Sequence, residues 1–135
     1  MRHRLLTDYL DRVEQAVASC EGAYVERYVE EILTPERANL RIRIRFERGH
    51  WLEINEAIMV VKPSQEAPAA DELTWLDYRY HCQDDQNRLI FRYDSTPHFP
   101  DLPGFPHHKH LPDEVTGGYR PDLVAVIEEA KTAQG

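Results

Sequence analysis

Apolar residues at Leu5, Leu6, Tyr9, Leu10, Val13 and Val17 recur at the three- and four-residue spacing of a helix that buries one stripe. Thr7 or Asp8 stands near its start and Gly22 beyond its end, where helices are capped and stopped. The next segment, Tyr24 to Leu33, is ambiguous. Val25, Tyr28, Val29, Ile32 and Leu33 fit the helical template slightly better, while the short span, its Tyr and Val content and the closing Pro35 suit a strand. From Leu40 to Phe46 the pattern changes to strict alternation: Leu40, Ile42, Ile44 and Phe46 on one side, Arg41, Arg43 and Arg45 on the other, the period of a half-buried strand.

A second strand, Trp51 to Val61, returns through Arg48-Gly49-His50. A three-residue loop with Gly49 at φ > 0 is expected to set Phe46 opposite Leu52, Ile44 opposite Ile54 and Leu40 opposite Ile58, with Arg45 meeting Glu53 on the outer face. That register leaves Glu56 on the apolar face, opposite Ile42. A buried carboxylate must be protonated, paired or turned toward a cavity, which makes Glu56 a candidate acid or base unless a bulge returns it to solvent. Residues 63–72 lack periodicity and form a connecting loop. Trp75 to Cys82 and Arg88 to Tyr93 form another hairpin around Gln83-Asp84-Asp85-Gln86-Asn87, expected to pair Cys82 with Leu89, Tyr80 with Phe91 and Tyr78 with Tyr93. Asp77, Arg79, His81, Arg92 and Asp94 occupy its reverse side. Pro121 to Ala133 reads as a C-terminal helix that Asp122 could cap. The elements add up to one α+β domain: a mostly antiparallel sheet of four to five strands with an N-terminal and a C-terminal helix on one face.

A chain of 135 residues, 41% hydrophobic and 30% charged, is long enough to bury a core unaided and has no apolar run of membrane-spanning length. The N-terminus lacks a signal-peptide apolar region, and Cys20 and Cys82 form no paired motif, so reduced thiols in the cytoplasm are expected. A net charge of −8 excludes a surface that grips nucleic acid everywhere, though a local basic face remains open.

The two hairpins, laid side by side, supply such a face: Arg41, Arg43, Arg45, Arg79 and Arg92, interrupted by Glu53, Asp77 and Asp94, with Trp75 and His81 as stacking partners for a single strand of nucleic acid. A solvated face of cross-strand ion pairs reads the same residues without a ligand. Chemistry concentrates further on. His98, His107, His108 and His110, four of the seven histidines, lie on a segment stiffened by Pro97, Pro100, Pro103 and Pro106. His108 and His110, with His98 or Asp94, have the ligand types for zinc or manganese, but no metal signature is present. Acid/base work needs only an imidazole, an acid to orient it and a cation to stabilise a phosphate, and Arg92, Asp94, His98 and His108 provide these without metal or cofactor. The absence of G-x-S-x-G, P-loop, G-x-G-x-x-G and H-E-x-x-H motifs removes the common hydrolase, nucleotide-binding and zinc-protease readings.

Tyr78-Arg79-Tyr80-His81, then Arg92-Tyr93-Asp94-Ser95-Thr96-Pro97-His98, then Phe105-Pro106-His107-His108-Lys109-His110 resemble, in order and spacing, the TumE-like family of small bacterial toxin-antitoxin proteins, whose motifs run Y-x-Y-H, R-Y-D-N-A-P-H-H and F-P-H-H-K-H. Glu56 matches an acid at the end of an earlier strand in that family. The chain departs at Ser95-Thr96, where the family has Asn-Ala, and at Phe99, which replaces a second histidine. The resemblance implies that Tyr24 to Leu33 is a strand, and strand is adopted here. It further implies a toxin whose partner is a helix-turn-helix antitoxin, with RNA as a natural target. On that reading His98 or His108 exchanges protons, Asp94 orients the ring, Glu56 is an auxiliary acid, and Arg92 with Arg79 holds phosphate. His81, Arg41, Arg43, Arg45, His107, Lys109 and His110 complete the substrate surface. The rival reading is a rigid His/Pro loop that docks the antitoxin or another protein without catalysis. Open strand edges also make a homodimer reasonable.

Overall fold

A computed structural model describes residues 1–62, 70–95 and 106–133. The order along the chain is helix α1 (Arg4–Ala18), strands β1 (Ala23–Thr34), β2 (Arg37–Phe46), β3 (Trp51–Val61), β4 (Glu72–Gln83), β5 (Leu89–Asp94), β6 (His108–His110) and β7 (Val115–Gly117), and helix α2 (Leu123–Thr132). The strands form a single antiparallel meander in the order β1 to β7. The expected four to five strands are therefore seven. β6 and β7 have three residues each, too few to display a period of two, and they follow a proline-rich stretch that reads as loop.

The core lies on one face of this sheet. Leu40, Ile42, Ile44, Leu52, Ile54, Ile58, Tyr80, Cys82 and Phe91 meet Leu6, Leu10, Val13 and Val17 of α1 and Leu123, Val126 and Ile127 of α2. Both helices thus cover the same face, as the alternation of β2 and the stripe of α1 require. His3 rather than Thr7 or Asp8 caps α1, its Nδ1 accepting from the Leu5 amide at 3.1 Å. Asp122 stands at the α2 N-cap but makes no capping bond through its side chain. Its carboxylate instead accepts two bonds from the Arg12 guanidinium, at 3.1 and 2.9 Å, and ties the helices together. On the far side of the core, His50 Nε2 lies 2.8 Å from the Ala130 carbonyl oxygen, joining β3 to the end of α2.

Register differs from expectation by one pleat in both hairpins. Residues 47–49 close the first, with Gly49 at φ +93°, its amide donating to the Phe46 carbonyl at 2.9 Å. Ile44 therefore faces Leu52, Ile42 faces Ile54 and Leu40 faces Glu56. In the second, the Asp84 carboxylate accepts from the Gln86 and Arg88 amides at 2.9 Å each, and Asn87 takes φ +63°. This tight, side-chain-bonded turn pairs Cys82 with Phe91 and Tyr80 with Tyr93 rather than with Leu89 and Phe91. A slip of two residues preserves sides, so each side chain keeps the face its alternation assigns.

Candidate functional site

On the face away from the helices, cross-strand pairing builds two rows. One runs Arg43, Glu53, His81, Arg92, His110; the other Arg41, Asn55, Arg79, Asp94, His108. Pairing of β5 with β6 brings the H-x-H residues opposite Arg92 and Asp94, although they lie far along the chain.

Asp94 is the hub of this corner. Its Oδ1 lies 2.5 Å from His108 Nε2, while its Oδ2 accepts from Arg92 Nε at 2.8 Å and lies 3.6 Å from His110 Nε2. The other ring nitrogen of His108, Nδ1, is 2.8 Å from the Pro106 carbonyl oxygen. A carbonyl only accepts, so Nδ1 carries a hydrogen, and Nε2 is the ring nitrogen turned toward the carboxylate. The ring is thus held in one orientation between the Pro106 carbonyl and the Asp94 carboxylate. Arg92 Nη2 is 3.1 Å from His110 Nε2; a guanidinium only donates, so that nitrogen presents its lone pair. The side chains of His108 and Asp94 are 2% and 5% exposed, against 14% for His110 and 28% for Arg92, so the cluster opens to solvent through the last two.

The ligand atoms of Asp94, His108 and His110 fall within 4.8 Å of one another, the composition of a two-histidine, one-carboxylate metal set. The spacing of His108 and Asp94 is nonetheless tighter than two ligands of one ion would take. Two ligands about 2.0–2.2 Å from a tetrahedral ion stand roughly 3.3 Å apart, whereas the His108 to Asp94 contact is 2.5 Å. The chain's own cation, Arg92, reaches both Asp94 and His110.

Next to this corner, Trp51, Glu53, Asn55, Arg79, His81 and Gln83 line a cleft of about 240 Å³. Burial first, then the guanidinium groups of Arg79 and Arg92, push the His81 imidazole down to about 4. An unfolded histidine titrates near 6.5, so between pH 6.5 and 4 the unfolded chain binds a proton that the folded chain refuses. The stability this group contributes is complete above pH 6.5 and is lost as the pH falls toward 4. The melting temperature should therefore decline across that window, and His81→Gln should flatten the decline. An unchanged slope in the variant would remove His81 as its source.

The arginine face is only partly available. Arg43 and Arg45 both reach Glu26, at 3.3 and 3.2 Å; Arg43 also meets Glu53 at 3.4 Å and covers the Trp51 ring at 4.0 Å. Arg41 and Arg79 are exposed and have no ion-pair partner among the described residues. Three other expected contributors point the wrong way. Lys109 lies on the helix side, 2.9 Å from Glu129 of α2, and His107 has Nδ1 2.9 Å from the Tyr78 hydroxyl. Trp75 cannot stack on a ligand: its indole donates to Glu56 at 2.9 Å and its ring is covered by Arg120 at 3.5 Å. His98 lies outside the described residues.

Glu56 does not join the Asp94 corner; it faces the helices. It accepts from the Tyr9 hydroxyl at 2.6 Å, from Trp75 and from the Tyr80 hydroxyl, with Arg120 Nη1 at 3.8 Å. Burial raises its pKa, and the hydrogen bonds from Tyr80 and Tyr9 and the charge of Arg120 pull against that rise. Alternation in β3 reveals the misplaced acid, but nothing local in the sequence reveals its partners. Tyr9 comes from α1, Trp75 and Tyr80 from β4, and Arg120 from the stretch before α2.

No helix among the described residues is long and apolar enough to cross a membrane. No curated protein and no solved structure matches the chain significantly. A family-level comparison aligns residues 12–133 with the family described as Toxin TumE, a span that includes β4, β5, β6 and the corner they build. With most of its length matched, the chain belongs to the TumE toxin family.

Proposed function

We propose that this toxin acts on RNA and cleaves it without a metal, using the corner where β5 meets β6. The observation that carries the reading is the convergence of Arg92, Asp94, His108 and His110 around one carboxylate, beside an exposed Arg79. In this mechanism Arg92 and Arg79 bind the phosphate and stabilise charge as the ribose 2′-oxygen attacks phosphorus. The histidine system takes the 2′-hydroxyl proton and returns one to the departing 5′-oxygen, so the proton count balances. His108 exchanges protons, Asp94 orients it, and His110 stands beside Arg92 where the cluster meets solvent. His98 is assigned to the same work on sequence grounds alone. Arg41 and Arg79 track the backbone, Arg43 and Arg45 shape the approach, and the partner is a helix-turn-helix antitoxin.

One observation favours the rival reading, a rigid non-catalytic binding module: the near-complete burial of Asp94 and His108 also suits a structural ion pair. Purified protein mixed with structured and unstructured RNAs in EDTA separates the two. Cleavage that disappears in the His98→Ala, His108→Ala double variant is expected. RNAs left intact by the unaltered chain, or cut equally by the variant, would remove the nuclease.

A further inference from the structure

β1 ends the sheet, and its outer edge pairs with no strand among the described residues. Natural edge strands are short, or carry lysine, proline or bulges that discourage pairing. β7, at the opposite end, has three residues, whereas β1 has twelve, with neither lysine nor proline among them. Its register shifts fall at Val25/Arg27 and Ile32/Thr34, leaving a regular stretch between. Tyr24, Val25, Val29, Ile32 and Leu33 are 38% to 71% exposed, a concentration of large apolar side chains unusual on a chain that acts alone. The helices pack chiefly over β3 and β4, and of β1 only Ala23 and Tyr28 pack against the core.

A groove of about 510 Å³ runs between α1 and β1, with Val17, Ala18, Val25 and Tyr28 as its apolar floor and Glu14 and Glu30 on its rim. The acids act together there. After burial, Glu30, Glu14 and Asp11 each hold the Tyr28 hydroxyl above its usual range. Arg2, 3.5 Å from Glu30, offsets part of this charge, while Glu14 has no ion-pair partner among the described residues.

We propose that the free edge of β1 and the groove beside α1 form the antitoxin dock, where a partner segment adds an eighth strand, its apolar side chains filling the groove and its lysines or arginines meeting Glu14 and Glu30. Backbone pairing supplies affinity in this mode and alternate side chains supply specificity. Charge decides the occupant. A second copy would bring the same acidic rim from a chain of net charge −8, whereas an antitoxin segment carrying lysine or arginine would be drawn to it. The dock is four strands from the Asp94 corner, roughly 19 Å at the usual spacing, so it stands whether or not that corner cleaves RNA.

Hydrogen exchange tests the proposal on the intact chain, alone and mixed with the purified antitoxin translated from the adjacent gene. Amides in 23–34 are expected to gain protection in the complex. Glu14→Lys with Glu30→Lys should weaken binding at least tenfold, while Asp113→Lys, the same kind of charge change at an exposed position beside β7, leaves it unchanged. A complex that leaves 23–34 exchanging as before, or no complex at all, overturns the assignment. Concentration-dependent protection of 23–34 in the chain alone would give the edge to a second copy, and overturns it equally.

Discussion

Glu56→Ala is expected to lower the unfolding free energy by about 3–5 kcal/mol, the usual consequence of removing one member of a buried, hydrogen-bonded charge network. Three donors converge on this carboxylate from Tyr9, Trp75 and Tyr80, and all would lose their acceptor in a region closed to water. Arg120 would lose its counter-charge and with it part of the reason to lie over Trp75. Since a domain of this size is stable by only about 5–15 kcal/mol, such a variant is marginal. Glu56→Gln retains one acceptor oxygen but turns an amide group toward donors, so a smaller loss is expected. Urea denaturation at fixed pH measures both. A loss below about 1 kcal/mol for the alanine variant would mean that water reaches the tyrosine hydroxyls and the site is not dry. Glu56 also lies on the opposite side of the sheet from Asp94. A folded Glu56→Gln protein should therefore keep its toxicity.

Asp94→Ala should have comparable thermodynamic weight and a larger functional one. The carboxylate holds Arg92 by one oxygen and lies against His108 by the other, so its removal strands two cationic or polar groups where little solvent enters. A loss of about 3–5 kcal/mol is again expected, accompanied by complete loss of growth arrest even at temperatures where the variant is folded. His110→Ala, nearer the solvent, should cost less stability because its contact to Arg92 can be replaced by water. Circular dichroism melts alongside induction of each variant in cells would show the ordering. Full growth arrest by a folded Asp94→Ala protein would detach toxicity from this corner.

The strands that sequence alternation exposes most clearly are those buried on one face only. β2 reads without ambiguity because α1 and α2 cover one side while arginines occupy the other. β1 is the opposite case. An edge strand exposed on both sides is under no pressure to alternate, and its two register shifts scramble the period further, so Val25, Tyr28, Val29, Ile32 and Leu33 mimic a helical stripe. Chemistry was legible in the same uneven way. The side shared by His108 and His110 follows from their spacing, and Asp94 with Arg92 follows from the end of a visible strand. That the two pairs meet depends on β6 returning along β5, which three residues between prolines do not announce. Lys109 and His107 show the cost of counting by composition, because alternation sends the first to the helix side and a tyrosine holds the second. The Glu56 anomaly was visible as an acid on an apolar face, but its role follows only from donors spread over the whole chain.

The account stands or falls on the close contact between Asp94 and His108. Its most direct test is His108→Gln, an uncharged replacement for the ring, with melting temperature and growth arrest measured on the same preparation and induction series. Arrest abolished while the protein remains folded at the growth temperature is the predicted result. Undiminished arrest from the folded variant would contradict it and leave the corner a structural ion pair.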